Sequence, residues 1–254
     1  MTQSLIRIPS HKDIKGQERD VAEFIHHFLL ENEIQSQLVP VVDDRPNVIA
    51  VIKGDDTGKS IMFNGHTDTV LPYNMTIEPF SGKLENGKIY GRGSVDMKGA
   101  LASFIITLLA IKRSGFTPGG DIVFTAVIGE EGKSEGTEHL IKSGIKTDAA
   151  IVGEPSDYEY AVGHRGLEWF DVTIYGKASH SGKPENGVNA IEHAMTFIQR
   201  VKQDLYPVLK KKHAEYMGDS VMNFGTISGG TEQSTVADKC IIRLDRRYIP
   251  GETI

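Results

Sequence analysis

The chain has 254 residues, enough to bury a substantial core and to form one large domain or two smaller ones. Its formal net charge of −6 and its lack of basic runs argue against nucleic acid and anionic membranes as main partners. Cys240 is the only cysteine, so no disulfide can form within the chain, and no apolar run approaches the ~20 residues that span a bilayer. With an N-terminus that lacks the hydrophobic core of a signal peptide, these features predict a soluble cytoplasmic protein.

Helices and strands alternate along the first 160 residues, as expected for an α/β fold. Apolar residues at helical spacing, continuous apolar runs and an Asn-Gly turn mark the individual elements. Their predicted bounds are a helix at 18–30, strands at 38–42 and 48–53 separated by a turn at 43–47, a buried strand from 61, a hairpin at 84–90, a helix at 100–113, a strand at 121–128, a helix at 134–142 and a buried strand at 149–152.

Two residues that suit a metal site follow the apolar run Ile61–Phe63. Gly65 is expected to let the backbone turn there. His66 and Asp68 are two apart, so on an extended chain they point to the same side. A carboxylate beside a ligating imidazole fixes its tautomer and raises its basicity, which is the role that Asp68 suits. The alternative is a surface loop in which both side chains are solvated.

Acidic residues recur at the ends of later predicted elements. Asp96 stands among glycines just before the apolar helix, where it could also serve as a helix cap. Glu130 and Glu131 follow one apolar strand and Glu154 follows another. Adjacent carboxylates repel each other unless a cation or a proton compensates, and ligands of open α/β sheets bind at the C-terminal ends of strands. We therefore expect these residues to share one site with His66.

The pattern of the chain changes near Ala161. The predicted elements that follow are a half-buried strand at 166–177, a loop at 178–187, a long helix at 188–206 and strands at 221–228 and 236–248 with a Gly-Gly turn between them. This order makes a compact α+β unit. We place the domain boundary near Val162, which gives domains at 1–162 and 163–254.

Four motifs, in this order, resemble those of one enzyme family. They are His66-Thr67-Asp68, Asp96-Met97-Lys98-Gly99, Glu130-Glu131-Gly132 and Gly153-Glu154-Pro155. The family is that of acetylornithine deacetylase, succinyl-diaminopimelate desuccinylase and glutamate carboxypeptidase, which are zinc aminoacylase-like metallopeptidases. The segments at 176–180 and 187–191 resemble the inserted lid or dimerisation domain of these enzymes. The resemblance implies a catalytic domain with a mixed, mainly parallel sheet between helices, plus an inserted α+β ferredoxin-like lid domain.

The resemblance also implies a site for two divalent metal ions. Zinc is expected first, and cobalt or manganese suits the same ligands. His66 and Glu154 would hold one metal, Glu131 the other, and Asp96 would bridge the two. Asp68 would orient His66.

Three further roles are implied by the same resemblance. Glu130 would take a proton from a metal-bridging water and pass it to the leaving amine. His180 would stabilise the oxyanion, reaching the site from the partner of a homodimer formed through the lid domain or by lid closure. Arg247 would bind a carboxylate of the substrate. A cis peptide between Asp96 and Met97 is expected as well.

The implied function is a metal-dependent hydrolase that cleaves the amide bond of a small N-acyl amino acid. A dipeptidase or aminopeptidase of the same family, or a non-catalytic metal-binding or dimerisation fragment, are the alternatives. The segment at 231–237 lacks the Asn-Val-Ile-Pro-like run of many relatives, which argues against succinyl-diaminopimelate as substrate. The family continues beyond the position of Ile254 with a final histidine ligand. We therefore expect these 254 residues alone to bind at most one metal tightly, to be poorly active and to leave one sheet edge unpaired.

Overall fold

A computed structural model of the protein describes residues 1–159 and 163–252. The chain divides into two compact units, Met1–Asp157 and Tyr158–Ile254, and each has a hydrophobic core of its own. The predicted domain boundary at Val162 lies outside the described residues. Within the described ranges, no helix is long and apolar enough to cross a membrane.

The first unit is a mixed α/β structure. Its elements are α1 (Thr2–Ile6), α2 (Arg19–Glu31), β1 (Ser36–Val42), β2 (Arg45–Ile52), β3 (Ile61–His66), β4 (Lys83–Glu85), β5 (Lys88–Tyr90), α3 (Lys98–Ser114), β6 (Ile122–Val127), α4 (Glu135–Lys142) and β7 (Ala149–Val152). Five strands form a sheet of order β1-β2-β6-β3-β7, in which β3 is parallel to β6 and β7. β2 is antiparallel to both of its neighbours, β1 and β6. The predicted α/β class and mixed sheet are confirmed; the sheet is not mainly parallel, because two of its four described strand pairings are parallel and two are antiparallel.

Helices cover both faces of this sheet because its central strands are apolar on both sides. One cluster joins α2 and α3 to one face and includes the fully buried Ile25, Leu101 and Phe124. Val123, which precedes Phe124 in β6, points to the opposite face and packs in a second cluster with Leu140 of α4. A strand buried on both faces needs a continuous apolar sequence, which is what β6 largely has.

The local predictions at 43–47 and for β7 are wrong. The residues at 43–47 do not form one turn, because Pro46 and Asn47 lie inside β2 and only Asp43 and Asp44, with φ of 47° and 60°, connect the strands. Proline is tolerated there because the pairing with β1 is irregular beside it. β7 was expected to be buried, but all four of its residues are exposed. Among the described strands it pairs with β3 alone, which places it at one edge of the sheet.

The second unit is built on a three-stranded antiparallel sheet covered by a helix, with a separate two-stranded sheet of β9 and β10. Its elements are β8 (Gly166–Tyr175), α5 (Ala190–Arg200), α6 (Tyr206–Leu209), β9 (His213–Ala214), β10 (Gly218–Asp219), β11 (Val221–Gly229) and β12 (Lys239–Tyr248), with a π-helical turn at Val201–Leu205. The sheet order is β11-β12-β8. Ala190 and Ala194 of α5 pack in one cluster with Cys240, Ile242 and Leu244 of β12. The strand-helix-strand-strand order agrees with the predicted α+β lid fold.

Candidate metal site

His66 is the centre of the candidate site and is the last residue of β3. Its side chain is only 1% exposed, and Nε2 lies 2.9 Å from Asp96 Oδ1 and 3.4 Å from Glu154 Oε1. β3 continues through Gly65, so the turn expected at this glycine is absent. The glycine serves close packing instead, because a Cβ there would lie 2.5 Å from the Cε of Met97.

Asp96 reaches the site from the segment that precedes α3. The N-cap of α3 is Met97, so Asp96 is not the cap of this helix. The Asp96–Met97 peptide bond is cis, as predicted. Met97 is fully buried and its Sδ accepts a hydrogen bond from the backbone N–H of His66 at 3.2 Å. The start of α3 is thereby fixed against the end of β3.

Asp68 connects His66 to the turn after β6. The Nδ1 atom of His66 lies 3.0 Å from the backbone oxygen of Asp68 and 3.3 Å from its Oδ1. The two carboxylate oxygens of Asp68 accept the backbone N–H groups of Glu130 at 3.1 Å and Glu131 at 2.9 Å. Burial raises the pKa of Asp68, but His66 and these two N–H groups outweigh it and lower the pKa. Asp68 is therefore held as a carboxylate.

The two glutamates of the turn point in different directions. The Oε2 atom of Glu130 lies 3.9 Å from His66 Nε2, whereas the Oε1 atom of Glu131 accepts the N–H of Val70 at 3.3 Å. In the described part of the chain, the group whose ligand atoms all lie within 4.8 Å of one another consists of His66, Asp96 and Glu154. Glu131 is near this group but does not belong to it.

The charges of the site favour a cation. Burial lowers the pKa of His66, but the hydrogen bond to Asp68 and the surrounding carboxylates raise it to about 10. Burial, and then the charge of Asp96, raises the pKa of Glu131. Burial also raises the pKa of Glu154, where the repulsion of its acidic neighbours works against the attraction of His66. One imidazole nitrogen among converging carboxylate oxygens is a donor set that fits zinc, cobalt or manganese.

Lys98 is a buried residue of this region to which the sequence assigned no role. It is the first residue of α3, and its Nζ donates hydrogen bonds to the backbone oxygens of Leu5 at 3.0 Å and Ile8 at 2.6 Å. Burial lowers its pKa to about 7. Its position in the Asp-Met-Lys-Gly motif is the sequence feature from which a role for Lys98 could have been inferred. The side chain ties the helix start that carries Asp96 to the N-terminal segment.

Glu18, Arg45 and Asn47 were also missed. All three are buried and polar: Asn47 and Glu18 accept the backbone N–H groups of Ile128 and Gly129, and Arg45 binds Glu18. Arg45 and Asn47 fell within a predicted turn, and Glu18 lay at the edge of a predicted helix. No pattern along the sequence distinguishes them from solvated residues.

The remaining two predicted site residues belong to the second unit. His180 is exposed on a loop, where its Nδ1 accepts the N–H of Gly182 at 3.0 Å. Arg247 on β12 donates from Nε and Nη2 to the two carboxylate oxygens of Asp245, at 2.8 and 3.0 Å. It also lines an open depression with Arg165 and Tyr216. The roles assigned to His180 and Arg247 stay predictions.

A histidine and carboxylates that converge at the strand ends of a mixed α/β sheet form a group that could hold a metal ion. Residues 62–248 match Peptidase family M20/M25/M40, and the chain belongs to this family.

Two curated relatives and one solved structure illustrate the match. The "Probable succinyl-diaminopimelate desuccinylase" of Staphylococcus epidermidis is 28% identical, over 97% of this chain and 66% of its own length. The "Acetylornithine deacetylase" of Buchnera aphidicola is 29% identical, over 99% of this chain and 68% of its own. A tripeptidase from Staphylococcus aureus has the same fold, with a TM-score of 0.69 at 22% identity, over 98% of this chain and 65% of that chain. The chain thus spans about two thirds of the length of these proteins.

Proposed function

We propose that the protein acts as a metal-dependent hydrolase that cleaves the amide bond of small N-acyl amino acids. The observation that carries this proposal is the convergence of His66, Asp96 and Glu154 within 4.8 Å, with Glu130 only 3.9 Å from His66 Nε2. Three ligands and an adjacent free carboxylate are the parts that metal-assisted hydrolysis requires.

Each residue has a distinct role in this proposal. His66, Asp96, Glu131 and Glu154 would hold divalent metal, with Asp96 shared between two ions. When bound, the metals polarise the scissile carbonyl and make water acidic enough to react near neutral pH. Glu130 accepts the proton of the attacking water and delivers it to the leaving nitrogen. Its half-exposed carboxylate, on a turn fixed by Asp68, supports that role.

The second unit is assigned substrate recognition. His180 would stabilise the charge that develops on the carbonyl oxygen, supplied from the partner of a homodimer or by lid closure. Arg247 would bind the substrate carboxylate. Because Asp245 occupies its Nε and Nη2, Arg247 would use its remaining donors or exchange Asp245 for the substrate. A cytoplasmic location is part of the same proposal.

The proposed deacylase differs from the alternative, a peptidase, in that its substrate carries an acyl group. The names of the two curated relatives describe removal of an acyl group, which supports a deacylase, whereas the structurally similar tripeptidase favours a peptidase. The fold alone is shared with the tripeptidase, so we place the deacylase first.

A substrate panel tests the proposal. The protein, loaded with zinc, cobalt or manganese, is assayed against N-acetyl and N-succinyl amino acids and against di- and tripeptides, with metal content measured in parallel. Hydrolysis of acyl amino acids is expected. Cleavage of peptides alone would show that the protein is a peptidase and not a deacylase. Metal binding by the intact protein without any amide hydrolysis would favour a non-catalytic module.

A further inference from the structure

Four consecutive backbone N–H groups after β6 are each held by a side chain from elsewhere in the first unit. The N–H of Ile128 donates to Asn47 Oδ1 at 3.1 Å and that of Gly129 donates to Glu18 Oε1 at 3.2 Å. The next two, those of Glu130 and Glu131, are the ones that bind Asp68. The turn that carries the proposed base is thus fixed at every residue from 128 to 131 by acceptors that are distant in sequence.

The acceptor Glu18 is itself fixed by a buried ion pair. Arg45 donates from Nε to Glu18 Oε2 at 2.7 Å and from Nη2 to Glu18 Oε1 at 2.6 Å. The Glu18 side chain is 1% exposed and that of Arg45 is 11% exposed. A planar guanidinium bound at two points leaves a carboxylate little freedom to rotate. Glu135, at the other end of the turn, lies 3.7 Å from Arg45 Nη1 and extends the network.

Asn47 connects the two ends of the turn. While its Oδ1 accepts the N–H of Ile128, its Nδ2 donates to the backbone oxygen of Gly136 at 2.8 Å. The residue is fully buried. Gly129 lies against the ion pair with φ of +72°, and a Cβ there would come within 3.3 Å of Arg45 Nη2. The backbone of the turn therefore packs directly on these side chains.

We propose that Glu18, Arg45 and Asn47 form a positioning clamp that sets the place of the Glu130 and Glu131 carboxylates relative to His66. The clamp holds the backbone of the turn and is separate from the ligand group, so its members are positioning residues and not catalytic ones. This inference deepens the proposed function and rests on it for its kinetic part. A buried ion pair adds little net stability compared with apolar packing, whereas misplacement of a reacting group by about 1 Å can cost about 100-fold in rate.

Paired substitutions test the clamp. Glu18→Leu and Asn47→Leu remove the acceptors of the Gly129 and Ile128 N–H groups. Glu18→Gln and Asn47→Asp keep an acceptor oxygen and serve as the conservative partners; Glu18→Gln is the milder of the two, because Asn47→Asp also loses the donor to the Gly136 oxygen. We expect kcat at saturating metal to fall about 10- to 100-fold in the leucine variants with KM changed less than about threefold, and to recover partly in the conservative ones.

Two further measurements do not depend on activity. In the metal-free protein, hydrogen–deuterium exchange of peptides covering 128–136 should become faster in the leucine variants than exchange in the sheet. The zinc Kd, measured by competition with a chelator, should rise because Glu131 lies on the same turn. Leu29→Ala, a truncation in the core cluster beneath α2 and outside the clamp, is the destabilised control.

The outcomes separate the alternatives. The clamp is supported if the leucine variants lower kcat, raise the zinc Kd and speed exchange at 128–136, while Leu29→Ala lowers the melting temperature as much as Asn47→Leu does and leaves all three unchanged. If the clamp variants lower the melting temperature and nothing else, the network is structural only and the inference is wrong. If the unaltered protein hydrolyses no amide, the proposed function fails, and the exchange and zinc measurements still decide the clamp.

Discussion

Single residues of the site show how burial and charge oppose each other. His66 is almost completely buried, which by itself favours the neutral imidazole. Asp68 and the surrounding carboxylates reverse that preference, so that the pKa of His66 rises to about 10 in the metal-free protein. A metal ligand must be the neutral imidazole, so a bound cation has to displace this proton.

This competition predicts a proton release that can be measured. At pH 7 the metal-free His66 is protonated, so binding of the first metal should release about one proton and affinity should rise as pH rises toward 10. Calorimetric titration with zinc in buffers of different ionisation enthalpy gives the number released. His66→Ala is the control. Binding to the unaltered protein with no proton release near pH 7 would contradict a protonated His66.

Substitutions of Glu130 and of Glu131 should affect different steps, the first proton transfer and the second metal binding. Glu130→Gln should keep its metal and lose about 10²- to 10⁴-fold in kcat, since an amide cannot accept the proton of water. Glu131→Gln should lower the metal content first. Metal analysis and turnover of both variants provide the comparison. A Glu130→Gln protein with near-normal turnover would remove this residue from the mechanism.

At the scale of elements, strand direction assembles the site. β3 is parallel to its neighbours β6 and β7, so the C-terminal ends of the three strands lie on the same side of the sheet. His66 ends β3, Glu130 follows β6 and Glu154 follows β7. Asp96 joins them from the start of α3. The same pairing brings Ser60 and Asp148, which are 88 positions apart in sequence, into a hydrogen bond at the opposite ends of these strands.

The end of β12 depends on a single carboxylate in the second unit. Glu252 accepts hydrogen bonds from Lys212, Ser220 and Arg246. Burial raises its pKa, but these partners outweigh it and lower the pKa to about 2. A lowered pKa contributes stability that is complete above the unfolded value near 4.5 and is lost as pH falls toward 2.

Glu252→Gln should therefore destabilise the second unit in a pH-dependent way. We expect a loss of about 1–3 kcal/mol at pH 7, since hydrogen bonds to a charged group are removed and Arg246 loses its partner. The difference from the unaltered protein should shrink as pH falls below 4.5. Urea unfolding across the range from neutral pH to below this value measures it. A difference independent of pH would show that the charge of Glu252 is not what stabilises the strand end.

At the scale of the whole molecule, the two units have separate cores, and the described ligand group lies in the first. Metal that binds only the folded form stabilises it by about 2.7 kcal/mol at a free concentration about 100 times Kd. The increase in stability on metal binding should therefore be found in the unit Met1–Asp157.

Hydrogen exchange with and without zinc tests this expectation. Protection should increase in β3, β6 and α3, and should change little in β11 and β12. A chelator should reverse the effect, and His66→Ala should abolish it. Zinc-dependent protection that appears mainly in β11 and β12 would place the metal elsewhere.

Composition, periodicity and the order of the motifs were enough to predict the class of the fold, the order of its elements and the residues proposed for the site. Periodicity and apolar runs are local properties, so they located α2, β6 and the β4–β5 hairpin without knowledge of the fold. The motifs carrying His66, Asp96, Glu130 and Glu154 were identifiable because each stands beside glycine or at a strand end.

The polar residues that support these motifs could be identified only from their contacts in the folded chain. Glu18, Arg45 and Asn47 are ordinary polar residues in sequence, and their importance arises from burial and from partners 27 to 111 positions away. The exposure of β7 could not be predicted from the sequence either, because its apolar residues suit a buried strand. Its position at the edge of the sheet depends on which strands pair with it. Long-range pairing and desolvation are properties of the folded chain, and no local pattern encodes them.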